Sequence, residues 1–430
     1  MFTLAGKSFT DYSDVQQVLA FLNDSRLARP KAWREWVTAH DRDIRKRLLR
    51  GDQDTVVNWL LFGTSFTRQP KVFFEVSATS DNLRRLISSR TKDLISVLAS
   101  PDTNERIAFA RQLLAGQGYR FETSDEQARL EQHLYAEVDR VVAERQQYQL
   151  REEAFPRGDV VAQIMAESSL FRGRGLSLDT SILPSFAVEQ ALETMRDKGL
   201  LRPNGIRRVA IVGPGLDFAD KNSGFDFYPV QTLQPFTSID SLARLGLAAP
   251  SEIDLTTFDI SNRVNDHILA IQRRAKAGSP NLLRLPLDPD SQWTPGLIRY
   301  WKSIGDQIGS EPRLPRFSDV GKGIELRGID VRPQVVGRVT PIDFNVVTEK
   351  WTGPPFDLVI ATNVLVYYDK LDQLLAFASI EGMLRPGGFF LTNNAIVELP
   401  ASRLRSAGVI TVQYSPQQND HVFWYRRIEQ

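Results

Sequence analysis

The sequence predicts an α/β protein that is preceded by a helical region, and three observations lead to this fold class. Residues 10 to about 150 carry apolar side chains at spacings of three and four, as amphipathic helices do. From residue 207 onward, short apolar runs alternate with helical patterns, which is typical of a parallel sheet with crossover helices. The last two runs lie close together, so we expect them to form an antiparallel hairpin.

The composition of the 430 residues is that of a globular protein, with 42% hydrophobic and 24% charged residues. A net charge of +1 gives no reason to expect nucleic acid as a partner. No apolar stretch reaches the roughly 18 residues of a membrane span, so no membrane insertion is expected. The first residues lack the pattern of a secretory signal, and a cytoplasmic location is therefore expected.

Two residue types restrict the chemistry. The chain has no cysteine, which excludes disulfides, thiolate nucleophiles and cysteine-ligated zinc. Its four histidines are scattered without metal-ligand spacing, so no metal site is expected.

We place the domain boundary where the sequence "AFPRGD" at 154–159 breaks the last long helical pattern. This gives a helical N-terminal domain at 1–153 and an α/β domain at 154–430. A basic cluster at 42–50 has two interpretations, a nucleic-acid patch or a solvated helix face, and the balanced charge favours the second. The strands are expected at 207–212, 252–259, 335–342, 356–361, 387–392, 408–414 and 420–427.

The first of these strands runs directly into Gly213, Pro214 and Gly215. In α/β proteins a glycine turn after a strand lets the backbone approach a nucleotide. The dinucleotide pattern G-x-G-x-x-G requires a third glycine, and Phe218 stands there instead. Taken alone, the turn is equally well an ordinary loop.

The second strand ends at Asp259, which Ile260 follows. A carboxylate at this end of a strand can accept hydrogen bonds from both hydroxyls of a ribose. Asp259 could also cap the following helix, but the glycine turn one strand earlier favours the ribose. In the same way, Asp343 and Phe344 follow the third strand, where they would offer an acceptor for an adenine amino group and an apolar face for its ring. An ordinary turn is the alternative for Asp343.

The stretch "FDLVIATNVLVYYDKLDQLLAFASIEGMLRPGGFFLTNN" at 356–394 carries the most specific pattern. A buried strand reaches Asn363, a helix runs from about Lys370 to Leu384, and Pro386-Gly387-Gly388 turns the chain into the next strand.

These motifs resemble class I S-adenosylmethionine-dependent methyltransferases over about residues 207–430, with local similarity to chemotaxis receptor glutamate methyltransferases. The resemblance implies a Rossmann-like seven-stranded sheet with a reversed C-terminal strand and S-adenosylmethionine as the cofactor. It also implies that Asn363, Tyr367 and Tyr368 lie near the transferable methyl, where aromatic faces can stabilise a sulfonium. Upstream, the resemblance implies that the segment 168–195 folds over the cofactor. There Arg172 or Arg174 would pair with the cofactor carboxylate, or both would be solvated.

The chain departs from that family at two apparent insertions, at about 216–230 and 280–325, and at Ile211, where the family usually has an acidic residue. The expected function is methyl transfer to an unidentified acceptor, a small molecule or a protein side chain, with no catalytic base assigned and an unknown oligomeric state. We expect the N-terminal domain to help select the acceptor, and a chain that begins near Ala154 to keep cofactor binding. The alternatives are a catalytically silent binding protein of the same fold and a nicotinamide-dependent oxidoreductase.

Overall fold

The computed structural model describes residues 6–72, 80–100, 104–153, 175–219, 224–314 and 323–429, with only the backbone at 145–153. Within these ranges the first half of the chain is mainly helical and the second half alternates strands and helices. The helices are α1 Tyr12–Phe21, α2 Pro30–Phe62, α3 Ser80–Ala99, α4 Glu105–Gly116, α5 Ser124–Glu153, α6 Ile182–Asp197, α7 Gln234–Arg244, α8 Asn262–Lys276, α9 Pro295–Ser303, α10 Pro333–Val336 and α11 Lys370–Met383. The strands are β1 Lys7–Phe9, β2 Arg208–Val212, β3 Asp254–Asp259, β4 Leu282–Leu287, β5 Gly309–Ser310, β6 Glu325–Val331, β7 Val339–Asp343, β8 Glu349–Trp351, β9 Phe356–Ala361, β10 Leu384–Thr392, β11 Leu404–Ser415 and β12 Gln418–Arg427.

The seven strands expected from the sequence form one sheet in the order β11-β12-β10-β9-β2-β3-β7. Its central strands are parallel, and β12 is antiparallel to both β10 and β11, so the C-terminal hairpin is confirmed. The reversed strand is second from the edge, and β11 itself is the edge strand. The strand order changes direction at β2, because β3 and β7 follow on one side of it and β9 and β10 on the other. Open α/β sheets bind their ligands at such a switch point.

Strand boundaries differ from the prediction by a few residues at most ends. The largest shifts, of four residues, are at the starts of the third strand and of β11. The third strand starts late because Pro333 begins the short helix α10 and β7 begins only at Val339. In the interior of the sheet, β10 already begins at Leu384, and its register with β9 shifts between Leu384 and Phe389 around the Pro-Gly-Gly sequence.

Both faces of the sheet are buried, because alternate residues of each strand point to opposite sides. Val209 and Ile211 of β2 pack into one hydrophobic core with α6, α7 and α8. Ala210 and Val212 pack into a second core with α11, and with α1 and the first half of α2. The N-terminal helices therefore supply part of the layer that covers the sheet.

A third hydrophobic core lies inside the N-terminal helices, between the end of α2 and helices α3, α4 and α5. Phe218 and Ala219, from the first apparent insertion, are buried in it. In addition, β1 pairs with β8 in a small antiparallel ladder, so the N-terminal region is not purely helical. The domain boundary between residues 153 and 154 stays a prediction. The second and third hydrophobic cores each contain residues from both sides of it.

The second apparent insertion forms a small antiparallel sheet of its own, in the order β4-β6-β5, together with α9. Its buried residues, among them Leu285 and Trp301, extend the core on the α6–α8 side of the main sheet. None of the helices in the described ranges combines the length and the low charge that a membrane span requires.

Candidate functional site

The glycine turn after β2 is confined by the chain itself. Gly213 and Gly215 both have φ of 65°, a conformation that non-glycine residues rarely adopt. A Cβ atom at Gly213 would lie 2.5 Å from Cγ2 of Val364, and one at Gly215 would lie 2.7 Å from the carbonyl oxygen of Leu178. Both glycines are therefore required by packing, and they do not by themselves indicate a nucleotide.

Asp259 ends β3 beside this turn and is buried, with 4% of its surface exposed. Its Oδ1 accepts a hydrogen bond of 2.8 Å from the backbone N–H of Ser261. Its Oδ2 is buried without a hydrogen-bond partner among the described residues. Burial raises the pKa of Asp259 to about 7, although the Ser261 N–H and the nearby Arg263 act in the opposite direction. A buried carboxylate oxygen that lacks a donor is a strong indication of a ligand hydroxyl or a water molecule at this position.

Asp259 lines a pocket at the carboxyl ends of β2, β3 and β9, at the switch point of the sheet. The residues predicted from the sequence that line it together are Gly213, Gly215, Asp259, Ile260, Phe344, Asn363, Tyr367 and Tyr368. Pro214 and Asp343 are not among the lining residues. Arg172 and Arg174 lie outside the described residues. The enclosed volume is about 70 Å³, well below the roughly 300–1,000 Å³ of small-molecule pockets. A nucleoside therefore requires the covering residues to move.

Asp343 has a different environment from the one the sequence suggested. It pairs with Asp259 in the register of β7 and β3, but its carboxylate Oδ1 accepts a hydrogen bond of 2.8 Å from Nη1 of Arg45 on α2. Arg45 also donates to Asp41 at 2.9 Å. Asp343 is thus engaged with the N-terminal helices outside the pocket lining, and its role as an adenine acceptor stays a prediction that these contacts do not support. Phe344, next to it, is buried in the pocket wall against Phe258, with 4.7 Å between ring centroids.

Asn363 follows β9 in the left-handed conformation, with φ of 57°. Its backbone N–H donates to Oδ1 of Asn393 at 2.8 Å, and its own Oδ1 accepts from Nδ2 of the same asparagine. This pair of hydrogen bonds joins the ends of β9 and β10 and holds Asn363 at the pocket. A non-glycine residue in this conformation costs energy, which is common at functional sites.

The two tyrosines contact α2 through Arg47. The backbone carbonyl of Tyr367 accepts a hydrogen bond of 2.6 Å from Nη2 of Arg47, and the guanidinium carbon of Arg47 lies 5.8 Å from the ring centroid of Tyr368. Tyr368 is buried, and burial raises the pKa of its hydroxyl well above the ordinary value. It stays protonated at neutral pH and is unsuited to act as a base.

No sequence motif identified one wall of the pocket, although the family resemblance implied that the segment 168–195 folds over the cofactor. Leu48 of α2 and the segment 176–180 line it, together with Thr362 and Val364. In this wall Asp179 accepts hydrogen bonds of 3.2 Å from the hydroxyl of Thr55, and the backbone of Thr180 donates to Leu216 at 2.9 Å. The segment matches no sequence motif. Its one feature that could have indicated a polar site is the acidic residue Asp179, close to the hydroxyls of Ser177 and Thr180.

No protein-family profile and no curated protein sequence matches this chain. The solved structures to which it is similar include S-adenosylmethionine-dependent methyltransferases. The N-methyltransferase NodS from Bradyrhizobium japonicum WM9, in complex with S-adenosylhomocysteine, is 13% identical with a TM-score of 0.30, over 62% of this chain and 99% of that one. The magnesium protoporphyrin IX methyltransferase ChlM from Synechocystis PCC 6803 is 9% identical with a TM-score of 0.27, over 64% of this chain and 88% of that one. With TM-scores this low, the likenesses carry no inference about function.

Proposed function

We propose that this protein is an S-adenosylmethionine-dependent methyltransferase whose acceptor is not identified. The observation that carries the proposal is the unpaired, buried Oδ2 of Asp259 beside the glycine turn. A ribose hydroxyl would supply the missing donor, and the carboxylate can accept a second hydroxyl through its remaining lone pairs. The strand order is that of the seven-stranded sheet that the resemblance implies.

The residues that would hold the cofactor differ in chemistry along the pocket. Asp259 would accept from the ribose, and the apolar side chains of Ile260 and Phe344 suit an adenine ring. Asp179 lies in the same pocket as Gly215 and would pair with the ammonium group of the methionine part. The tyrosine rings at 367 and 368 would face the sulfonium.

When bound, S-adenosylmethionine supplies an electrophilic methyl group to a nucleophile that approaches in line with the carbon–sulfur bond. The residues of the chain would position the two partners and exclude water, which can contribute roughly 7–11 kcal/mol to lowering a barrier. Among the described lining residues there is no histidine, lysine or glutamate. We therefore assign no catalytic base, and an acceptor that is already unprotonated at neutral pH, such as a neutral amine, would need none.

The proposal predicts which nucleotide stabilises the protein. In a melting experiment S-adenosylhomocysteine should raise the Tm, because a ligand that binds only the native state stabilises it by mass action. NADH should leave the Tm unchanged, because the dinucleotide fingerprint lacks its third glycine. Adenosine is the matched control, since it shares the nucleoside and lacks the amino acid. Stabilisation by NADH alone would refute the methyltransferase and favour the oxidoreductase.

A further inference from the structure

A second cavity, separate from the nucleoside pocket, lies between α4 and α8 and is closed on one side by the first apparent insertion. Its volume is about 790 Å³, within the range of small-molecule sites. Leu216, Phe218 and Val230 of the insertion form its apolar wall together with Phe109 and Leu113 of α4. Polar lining residues are Asp52, Glu105, Gln112, Arg263, Asp266, His267 and Arg273.

At this cavity Arg263 has one guanidinium nitrogen in an ion pair and two, Nε and Nη1, without a partner among the described residues. The guanidinium of Arg263 lies 4.2 Å from the ring centroid of Phe109, a stacked position that leaves its N–H groups at the edge. None of its three nitrogens makes a hydrogen bond to a described residue, although all three are buried. Nη2 lies 3.0 Å from Oδ1 of Asp52, an ion pair without hydrogen-bond geometry. Buried N–H groups of a guanidinium are normally satisfied, so Nε and Nη1 are available to an acceptor in the cavity, either water or a ligand.

His267 adds a further buried polar atom, since its Nε2 has no partner in the described part of the chain. Burial and the nearby Arg274 and Arg263 lower the pKa of His267 to about 4, so its ring is neutral at physiological pH. A neutral imidazole can present an N–H at Nε2. Arg263 and His267 lie one helical turn apart on α8, on the same face.

The charges of the lining restrict the ligand. Glu105 and Asp266 are exposed at the rim, where water screens them, and Arg273 is exposed on the same side. Asp52 is close to Arg263, so a dianion such as a phosphate monoester would meet repulsion there. A single carboxylate takes two parallel N–H bonds from one guanidinium. An apolar body would cover the half-buried side chains of Phe109, Leu113 and Val230.

We propose that this cavity binds a small monocarboxylate with an apolar or aromatic body, held at its carboxylate by Arg263 and His267. The inference goes beyond the proposed methyl transfer and does not depend on it, because none of its residues lines the nucleoside pocket.

The test is a calorimetric titration of the full-length protein with 4-phenylbutyrate, and with 4-phenylbutanol and 4-phenylbutylamine as neutral and cationic analogues. We expect the carboxylate to bind at least about tenfold more tightly than either analogue. Arg263→Gln should weaken it about tenfold or more. The matched control is Lys276→Gln, which removes an exposed positive charge at the end of the same helix outside the cavity lining, and it should change affinity by less than about twofold.

A second variant keeps the test decisive if Arg263→Gln does not fold. Ala270→Phe places a large side chain in the cavity without removing a charge, and it should also weaken binding of 4-phenylbutyrate. The proposal is overturned if the amine binds as tightly as the carboxylate, if a folded Arg263→Gln protein keeps wild-type affinity, or if the wild type shows no binding at about 10 mM ligand.

Discussion

At the scale of single residues, we expect Asp259 to have opposite effects on ligand binding and on stability. The position that suits a ribose also removes a carboxylate from water, and the only compensating hydrogen bond in the described chain comes from Ser261. Because its pKa is raised from 3.8 to about 7, the folded protein holds a proton on Asp259 that the unfolded chain releases near pH 4. The contribution of this carboxyl to the free energy of unfolding is therefore fully present below about pH 4 and is lost as the pH rises through about 7.

This predicts a gain in stability for Asp259→Asn in the absence of ligand. At pH 8 the amide removes the cost of the buried charge, so the free energy of unfolding should rise by about 1–3 kcal/mol. At pH 4 the carboxyl is already neutral and the variant should match the wild type. Urea titrations at the two pH values measure the difference. Asp254→Asn, an exposed position at the start of the same strand, is the control. An equal effect of Asp259→Asn at both pH values would contradict the raised pKa.

At the scale of elements, the sheet could be predicted because its strands are short apolar runs buried on both faces. The run that became β9 was found with its bounds unchanged, and the hairpin of β11 and β12 followed from two runs separated by a few polar residues. The first residues of β7 and β10 were predicted less accurately. A short helix that begins at a proline precedes β7, and a register shift lies within β10, and the pattern of apolar residues reveals neither.

The site was predictable only where its residues follow a strand. Asp259 and Phe344 lie at the carboxyl ends of neighbouring strands, and parallel strands bring such ends together. Leu48 reaches the pocket from a distant part of the chain, and no local pattern shows which surface it covers. The segment 176–180 also lines the pocket, and only the family resemblance, through the stretch 168–195, implied that it would. The same limitation explains Asp343, whose partner Arg45 is 298 positions away in the sequence.

At the scale of the whole molecule, the N-terminal helices and the sheet depend on each other. Trp33, Val37 and Ile44 are buried against the sheet. Asp226 of the first apparent insertion is buried and accepts hydrogen bonds from Trp59, Thr64 and Ser65 at the end of α2.

These contacts reverse the expectation that a chain beginning near Ala154 would keep cofactor binding. Removing residues 1–153 exposes an apolar sheet face to water and removes the hydrogen bonds to Asp226, and the lost apolar burial alone is worth several kcal/mol. The truncated protein should show no cooperative thermal transition by circular dichroism. Co-expression of residues 1–153 as a separate chain should restore it. A cooperative transition in the truncated chain alone would show that the two regions fold independently.

The most direct test of the central claim is the affinity of S-adenosylhomocysteine for the wild type, Asp259→Ala and Asp259→Asn, measured by calorimetry at pH 8. If Asp259 accepts the ribose hydroxyls, alanine removes hydrogen bonds to a charged group worth roughly 1.5–3 kcal/mol each, and affinity should fall about a hundredfold or more. Asparagine retains one acceptor oxygen, so its loss should be smaller. If Asp259 instead only caps α8, Asp259→Ala would lower stability by about 1 kcal/mol and would bind S-adenosylhomocysteine nearly as tightly as the wild type does. That result would contradict the nucleoside site.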